Sequence, residues 1–229
     1  GKADCLVALD QLKDTCPNLE WVAPVVSWYT GSVNAAGAKI LPGVEYKEGS
    51  SAPDQWRVGD YDRDNAHLIT KNKYADPIYG GTSNDLSILR YLDALKNYGY
   101  KVMFYPMVLV DLPHKPWRGR ITGTPDNIRN FFVKPDGYNN FIIHYAKLVK
   151  DKVDAFIIGS EMIGLTRVKD QNNRFPAVDA LIDLAKKVKE IVGDRVKVTY
   201  AADWSEYHHT EGGWYNLDPL WACDYIDFI

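Results

Sequence analysis

Residues 154–161 read DAFIIGSE, a short uncharged run between Asp154 and Glu161. Its length and its lack of any polar alternation fit a strand buried on both faces, as strands of parallel sheets are. Working outward, the same pattern recurs. Residues 100–110 (YKVMFYPMVLV) stop at Asp111, and residues 196–202 (VKVTYAA) stop at Asp203. Residues 19–29 (LEWVAPVVSWY) are an earlier apolar run, and a last one begins at Tyr225–Ile229.

Between these runs the spacing becomes helical. Leu6, Leu9 and Leu12 mark a first helix. Leu86, Leu89, Leu92 and Leu95 mark a second over residues 82–98, where Thr82 and Asp85 predict a capping box and Gly99 a stop. Phe141, Ile142, Tyr145, Leu148 and Val149 line a third. Pro176 opens a fourth, whose Val178, Leu181, Ile182, Ala185, Val188 and Val192 face a core ahead of Gly193. Alternating strands and helices with apolar strands predict an α/β fold with a parallel sheet covered by helices. Acidic and aromatic residues gather directly after the strands, where a TIM (β/α) barrel keeps its chemistry. A doubly wound sheet shares the alternation, but no G-x-G-x-x-G or phosphate loop follows any strand. The polar, Gly- and Pro-rich residues 30–81 are predicted as an insertion carrying a β-hairpin, from the alternating pieces 38–46 and 55–58. Residues 112–137 are predicted as a long loop.

Composition narrows the function classes. With 27 Lys and Arg against 30 Asp and Glu, the formal charge of −3 gives no footprint for nucleic acid or an anionic membrane. Hydrophobic residues at 46% and charged residues at 25% exclude a disordered chain. No stretch approaches the roughly 18 apolar residues of a membrane span, and residues 1–10 do not read as a signal peptide. Cys5, Cys16 and Cys223 share no CxxC spacing, which argues against a disulfide framework or a zinc site and suits a reducing compartment. His208–His209 lack the spacing of metal ligands, so neither metal nor cofactor is expected. An eight-stranded barrel takes about 250 residues. A chain of 229 with so large an insertion therefore predicts a single barrel domain that is incomplete, cut from a larger protein.

Glu161 is the foremost candidate for chemistry. At the end of a buried strand its carboxylate is predicted at the barrel mouth above an apolar floor, the setting of a general acid. Asp203 and Glu206 follow the next strand, and paired carboxylates are what glycoside hydrolysis requires. Asp203 also reads as a turn cap. Asp111, at its own strand end, is a substrate-binding candidate. Trp28, Trp117, Trp204 and Tyr207 flank these acids, as do Tyr29, Trp214 and Trp221. Flat rings at a mouth stack on sugar faces, or simply pack loops. Arg118 and Arg120 could hold an anionic group or pin the loop.

Several blocks then stand in a telling order: CPNLEWVAPVVSWY (16–29), YGGTSNDLSILRYLDALKNYGYKVMFYPMVLVD (79–111), KPWRGRITG (115–123), FIIGSEMIGLT (156–166), FPAVDALIDLAKKV (175–188), VTYAADWSEY (198–207) and NLDPLWACDYIDFI (216–229). Together they resemble the TIM-barrel-like domain of gene transfer agents. That domain occurs in large tail (baseplate hub) proteins of phage-like particles in alphaproteobacteria, often described as glycoside hydrolase/phage tail proteins. The resemblance implies a glycosidase-type barrel in which Glu161 matches the acid/base that retaining enzymes carry after the fourth strand. Ser160 stands where those enzymes commonly have Asn. The second carboxylate is then Asp203, Glu206 or a residue outside this chain. Implied partners are a polysaccharide or peptidoglycan substrate and other tail proteins, with assembly in the cytoplasm before incorporation into a tail particle. The competing expectation is a non-catalytic module that binds glycan or builds the hub.

Overall fold

The computed structural model describes residues 1–49, 54–206 and 214–229. In it the apolar runs form parallel strands and the helix-period segments cover them. Helix α1 (Asp4–Thr15) leads to β1 (Trp21–Val22) and β2 (Val25–Thr30), then to β3 (Gly43–Val44) and β4 (His67–Leu68). Next come α2 (Asp85–Asn97), β5 (Lys101–Val110), a 3₁₀ turn at Arg118–Arg120, α3 (Pro125–Val133) and α4 (Tyr138–Val149). The chain continues through β6 (Ala155–Ser160), α5 (Ile163–Thr166), α6 (Pro176–Val192), β7 (Lys197–Ala201) and α7 (Asp218–Trp221).

β1 and β2 are one strand interrupted at Pro24, which has no N–H to give a ladder. The offset is unchanged across the break, with Trp21 opposite Lys101 and Val25 opposite Tyr105. Beside this pair lie β5, β6 and β7 in chain order, all parallel. The sheet order never reverses, so it winds as a barrel does and not as a doubly wound sheet. Among the described residues the barrel is not closed. The predicted strand at 225–229 is not one by hydrogen-bond pattern, yet it runs beside β7. The Asp227 N–H donates to Val198 O at 2.8 Å, and Asp227 Oδ2 accepts from the Val198 N–H at 2.7 Å.

β5 shows the alternation that the barrel imposes. Val102, Phe104, Val108 and Val110 are buried, while Met103, Tyr105, Met107 and Leu109 between them are only partly covered. The buried set faces the helices, where the Phe104 ring meets Tyr145 of α4 at 5.5 Å. Helix α6 seals β6 and β7 with Val178, Leu181, Leu184, Ala185 and Val188, all buried.

Three local expectations are corrected. The cap of α2 is Asn84, whose side chain accepts from the Ser87 N–H at 2.8 Å. Thr82 instead donates to Ser27 O at 2.7 Å, and Asp85 accepts from the Gly59 N–H at 2.8 Å. Within the predicted loop 112–137, Thr124 caps α3, Pro125 occupies its first turn, and Ile128, Phe131 and Phe132 bury one face. Within residues 30–81, pieces 38–46 and 55–58 do not form the expected hairpin: Gly43 and Val44 pair in parallel with His67 and Leu68. Parallel partners cannot be joined by a tight turn, so the intervening chain must cross over. Gly43 lets β3 lie on the sheet, since a Cβ there would fall 2.4 Å from the Tyr29 ring. No helix among the described residues is long and apolar enough to cross a membrane.

Candidate active site at the strand ends

Glu161 follows β6 with φ 51°, a left-handed conformation that costs a non-glycine residue about 1–3 kcal/mol. The β6–β7 register shifts between Ile157 and Ser160, and the Glu161 N–H donates to Ala201 O at 2.9 Å. The irregularity turns the residue out of the ladder. Its side chain, 34% exposed, does not rest on an apolar floor. Glu161 Oε2 takes the Arg118 guanidinium at 2.6 Å and the Trp117 indole N–H at 2.7 Å. Arg118 is itself fixed, its Nε donating to the backbone and side-chain oxygens of Ser160, each at 3.1 Å. Ser160, in the place the resemblance assigns to Asn, thus orients the arginine. The setting is therefore a charged and hydrogen-bonded one, with Oε2 shared by two donors, in place of the apolar surroundings expected from the strand end.

The turn bearing Arg118 is placed by close packing on α5. A Cβ on Gly164 would lie 2.4 Å from Ile121 O and 2.6 Å from Gly119 O, both backbone atoms that cannot swing aside. Gly164→Ala is expected to destabilise the chain by about 2 kcal/mol through overpacking. Urea unfolding checks this, and an unchanged midpoint would show that the turn gives way freely.

Asp203 and Glu206 adopt different roles. Asp203 Oδ2 accepts from the Ser205 N–H at 3.0 Å and from the Ser205 hydroxyl, so the residue closes a turn. Glu206 is turned inward and buried, contrary to a place at the mouth. Its Oε1 accepts from the hydroxyls of Thr166 at 2.5 Å and Tyr200 at 2.9 Å, and Oε2 from the Asp203 N–H at 3.3 Å. Burial pushes its carboxyl up to about 7, against the hydrogen bonds from Thr166 and Tyr200.

The aromatic candidates also separate. Trp28 lies in the core at 1% exposure, its ring between Phe141 and Tyr61 and its Nε1–H donated to Tyr145 Oη at 2.9 Å. It cannot contact a sugar. Trp204 is 82% exposed, and Trp117 and Trp214 are exposed as well. Lys169 Nζ sits 3.6 Å from the Trp214 ring centroid. Trp221 packs against Tyr200 with ring centroids 6.0 Å apart. Arg120 is exposed. Tyr207, His208 and His209 lie outside the described residues.

Asp111 is placed at the end of β5 but is fully covered. Its Oδ2 is bound by His67 Nε2 at 2.6 Å and by the Thr70 N–H at 2.8 Å. Sequence reading did not find His67. The two are separated by 44 positions, so no spacing signal could join them.

A family model described as the GTA TIM-barrel-like domain matches residues 136–229, in agreement with the resemblance carried by the sequence blocks. No curated protein sequence matches the chain. Among solved structures, the GH113 β-mannanase AaManA from Alicyclobacillus acidocaldarius in complex with ManMIm superposes with a TM-score of 0.56 at 15% identity, over 91% of this chain and 51% of that one. A GH113 β-1,4-mannanase gives a TM-score of 0.52 at 18% identity, over 90% of this chain and 52% of that one. At such identities the likeness is one of fold, a glycoside hydrolase-type TIM barrel. The chain spans about half the length of these structures.

Proposed function

We propose that the chain forms part of a glycoside hydrolase-like barrel in a tail (baseplate hub) protein of a gene-transfer-agent particle, where it hydrolyses a polysaccharide of the bacterial envelope. The carrying observation is Glu161. A strained residue at a strand end presents a partly exposed carboxylate, fixed by Trp117 and Arg118, and Trp204 after the next strand offers an open ring. Strain of this kind persists where the surrounding structure holds it for a purpose. The mannanase-like fold supports a sugar substrate, and Glu161 is assigned the acid/base role, with Asp203 as the second carboxylate.

A specific observation favours a second reading. Glu206 is buried and Asp203 is tied to Ser205, which suits a module that binds glycan without cleaving it.

The whole chain and Glu161→Gln are compared on peptidoglycan, chito-oligosaccharides and β-1,4-mannan. Gln keeps the size of the side chain and removes its charge. Turnover by Glu161→Gln is expected to fall at least about 100-fold. Equal turnover by both proteins sinks the catalytic assignment. Sugar binding without turnover by the wild-type chain selects the binding module.

A further inference from the structure

A second constellation on the strand-end face, around Asp111, lies apart from the carboxylates assigned to hydrolysis. The Asp111 side chain has no exposed surface, and Oδ2 takes both His67 Nε2 and the Thr70 N–H. Its other oxygen, Oδ1, is buried with no hydrogen-bond partner among the described residues. Such an oxygen costs about 1–3 kcal/mol to leave unpaired. His67 keeps 23% of its side chain exposed. Its ring lies parallel to Tyr29, with centroids 6.1 Å apart and an interplanar angle of 11°. Tyr79 follows at 5.9 Å from Tyr29, and Lys115 Nζ stands 4.7 Å from the Tyr79 ring centroid.

This geometry fixes the tautomer of a neutral imidazole. A neutral ring that donates to a carboxylate must keep its proton on Nε2, so Nδ1 is left as an acceptor. The same carboxylate holds the ring in one orientation. Asp111 is closed to any ligand, and His67 is the member of the pair that a ligand reaches. β5 and β6 are adjacent strands, and the loop leaving Asp111 delivers Trp117 to Glu161. The pair and Glu161 therefore stand on neighbouring strand ends of one face.

We infer that His67 is a ligand contact of this face: its Nδ1 accepts a hydroxyl of a carbohydrate bound across the ends of β5 and β6, with Asp111 as the positioning residue. The inference rests on the carbohydrate reading given above. A hydroxyl-rich ligand fits, because the ring offers an acceptor to a hydroxyl donor. A purely structural pair would do no more than pin β4 to the end of β5.

His67→Gln separates the two. Its amide reproduces the Nε2 donor toward Asp111 and removes the Nδ1 acceptor. The whole chain, ¹⁵N-labelled at histidine, is titrated with mannotetraose and with chitotetraose while the ring nitrogens are followed by NMR. In the free protein His67 is expected as the Nε2–H tautomer, a preference lost in Asp111→Asn. One of the two sugars should shift Nδ1. His67→Gln should melt like the wild type yet bind that sugar about 10-fold more weakly, the loss of one hydrogen bond. Unchanged binding by His67→Gln, or a sugar that binds without moving Nδ1, overturns the inference whatever Glu161 does. Failure of both sugars to bind also overturns it, while turnover of peptidoglycan would leave the hydrolase reading intact. If Glu161→Gln keeps full turnover and Nδ1 still responds, the assignment of Glu161 fails and that of His67 stands.

Discussion

Trp28→Ala is expected to cost about 4 kcal/mol of stability. For a chain of 229 residues that is a fall in Tm of roughly 8–16 °C. The indole fills the space between β2 and α4, with Phe141 at 5.1 Å, Tyr61 at 5.6 Å and Tyr145 at 6.0 Å between ring centroids. Truncation leaves a cavity that these rings cannot close without leaving their own packing. It also strips the Tyr145 oxygen of the Nε1–H donor at 2.9 Å, in a place where burial already holds that hydroxyl well above its ordinary pKa. Trp28→Phe restores most of the volume and none of the hydrogen bond, so it should lie between the two. Calorimetry of the three proteins checks the order. A drop of only a degree or two, accompanied by weaker sugar binding, would return Trp28 to the mouth and refute its place in the core.

Trp28 also shows why the strands were legible and their faces were not. The run VVSWYT is covered on both sides, by α4 at Trp28 and by Gly43 and His67 at Tyr29. Its two polar residues, Ser27 and Thr30, fall on opposite parities and so mark neither face, and a ring near a strand end reads as a mouth residue. In β5 the faces differ in burial, but both are apolar, so composition again hides the alternation. The strand order was readable because a helix-period segment separates β2 from β5, β5 from β6 and β6 from β7. Helix α3 had a legible start in Thr124–Pro125 and a buried face in Ile128, Phe131 and Phe132, but the glycines and prolines around it read as loop. The candidate site divides in the same way. Glu161 is fixed by its own strand, so its position could be read locally. The partners that define its chemistry, Trp117 and Arg118, come from a turn set in place by Gly164 packing on distant carbonyls. The His67–Asp111 bond and the inward turn of Glu206 likewise depend on contacts between remote segments.

Glu206→Gln is expected to change stability in a pH-dependent manner. The buried carboxyl titrates at about 7 in the folded chain against 4.5 as its ordinary value. The folded state therefore keeps a proton that the unfolded chain has released. With more protons bound to the folded form, stability is fully present below pH 4.5 and is lost as pH rises through 7. The loss across that window is about 3 kcal/mol. Gln stays neutral throughout and can accept the hydroxyls of Thr166 and Tyr200 through its carbonyl, giving up the 3.3 Å bond from the Asp203 N–H. At pH 4 the variant should be equal to the wild type or slightly weaker, for that lost bond. By pH 8 it should be the more stable of the two by about 2–3 kcal/mol. Urea melts of both proteins at pH 4, 6 and 8 supply the test, because the difference between them cancels titration elsewhere in the chain. A difference that stays constant with pH would mean that Glu206 titrates alike in the folded and unfolded chain, with water or a cation reaching it. That result would put it back among the carboxylates open to a substrate.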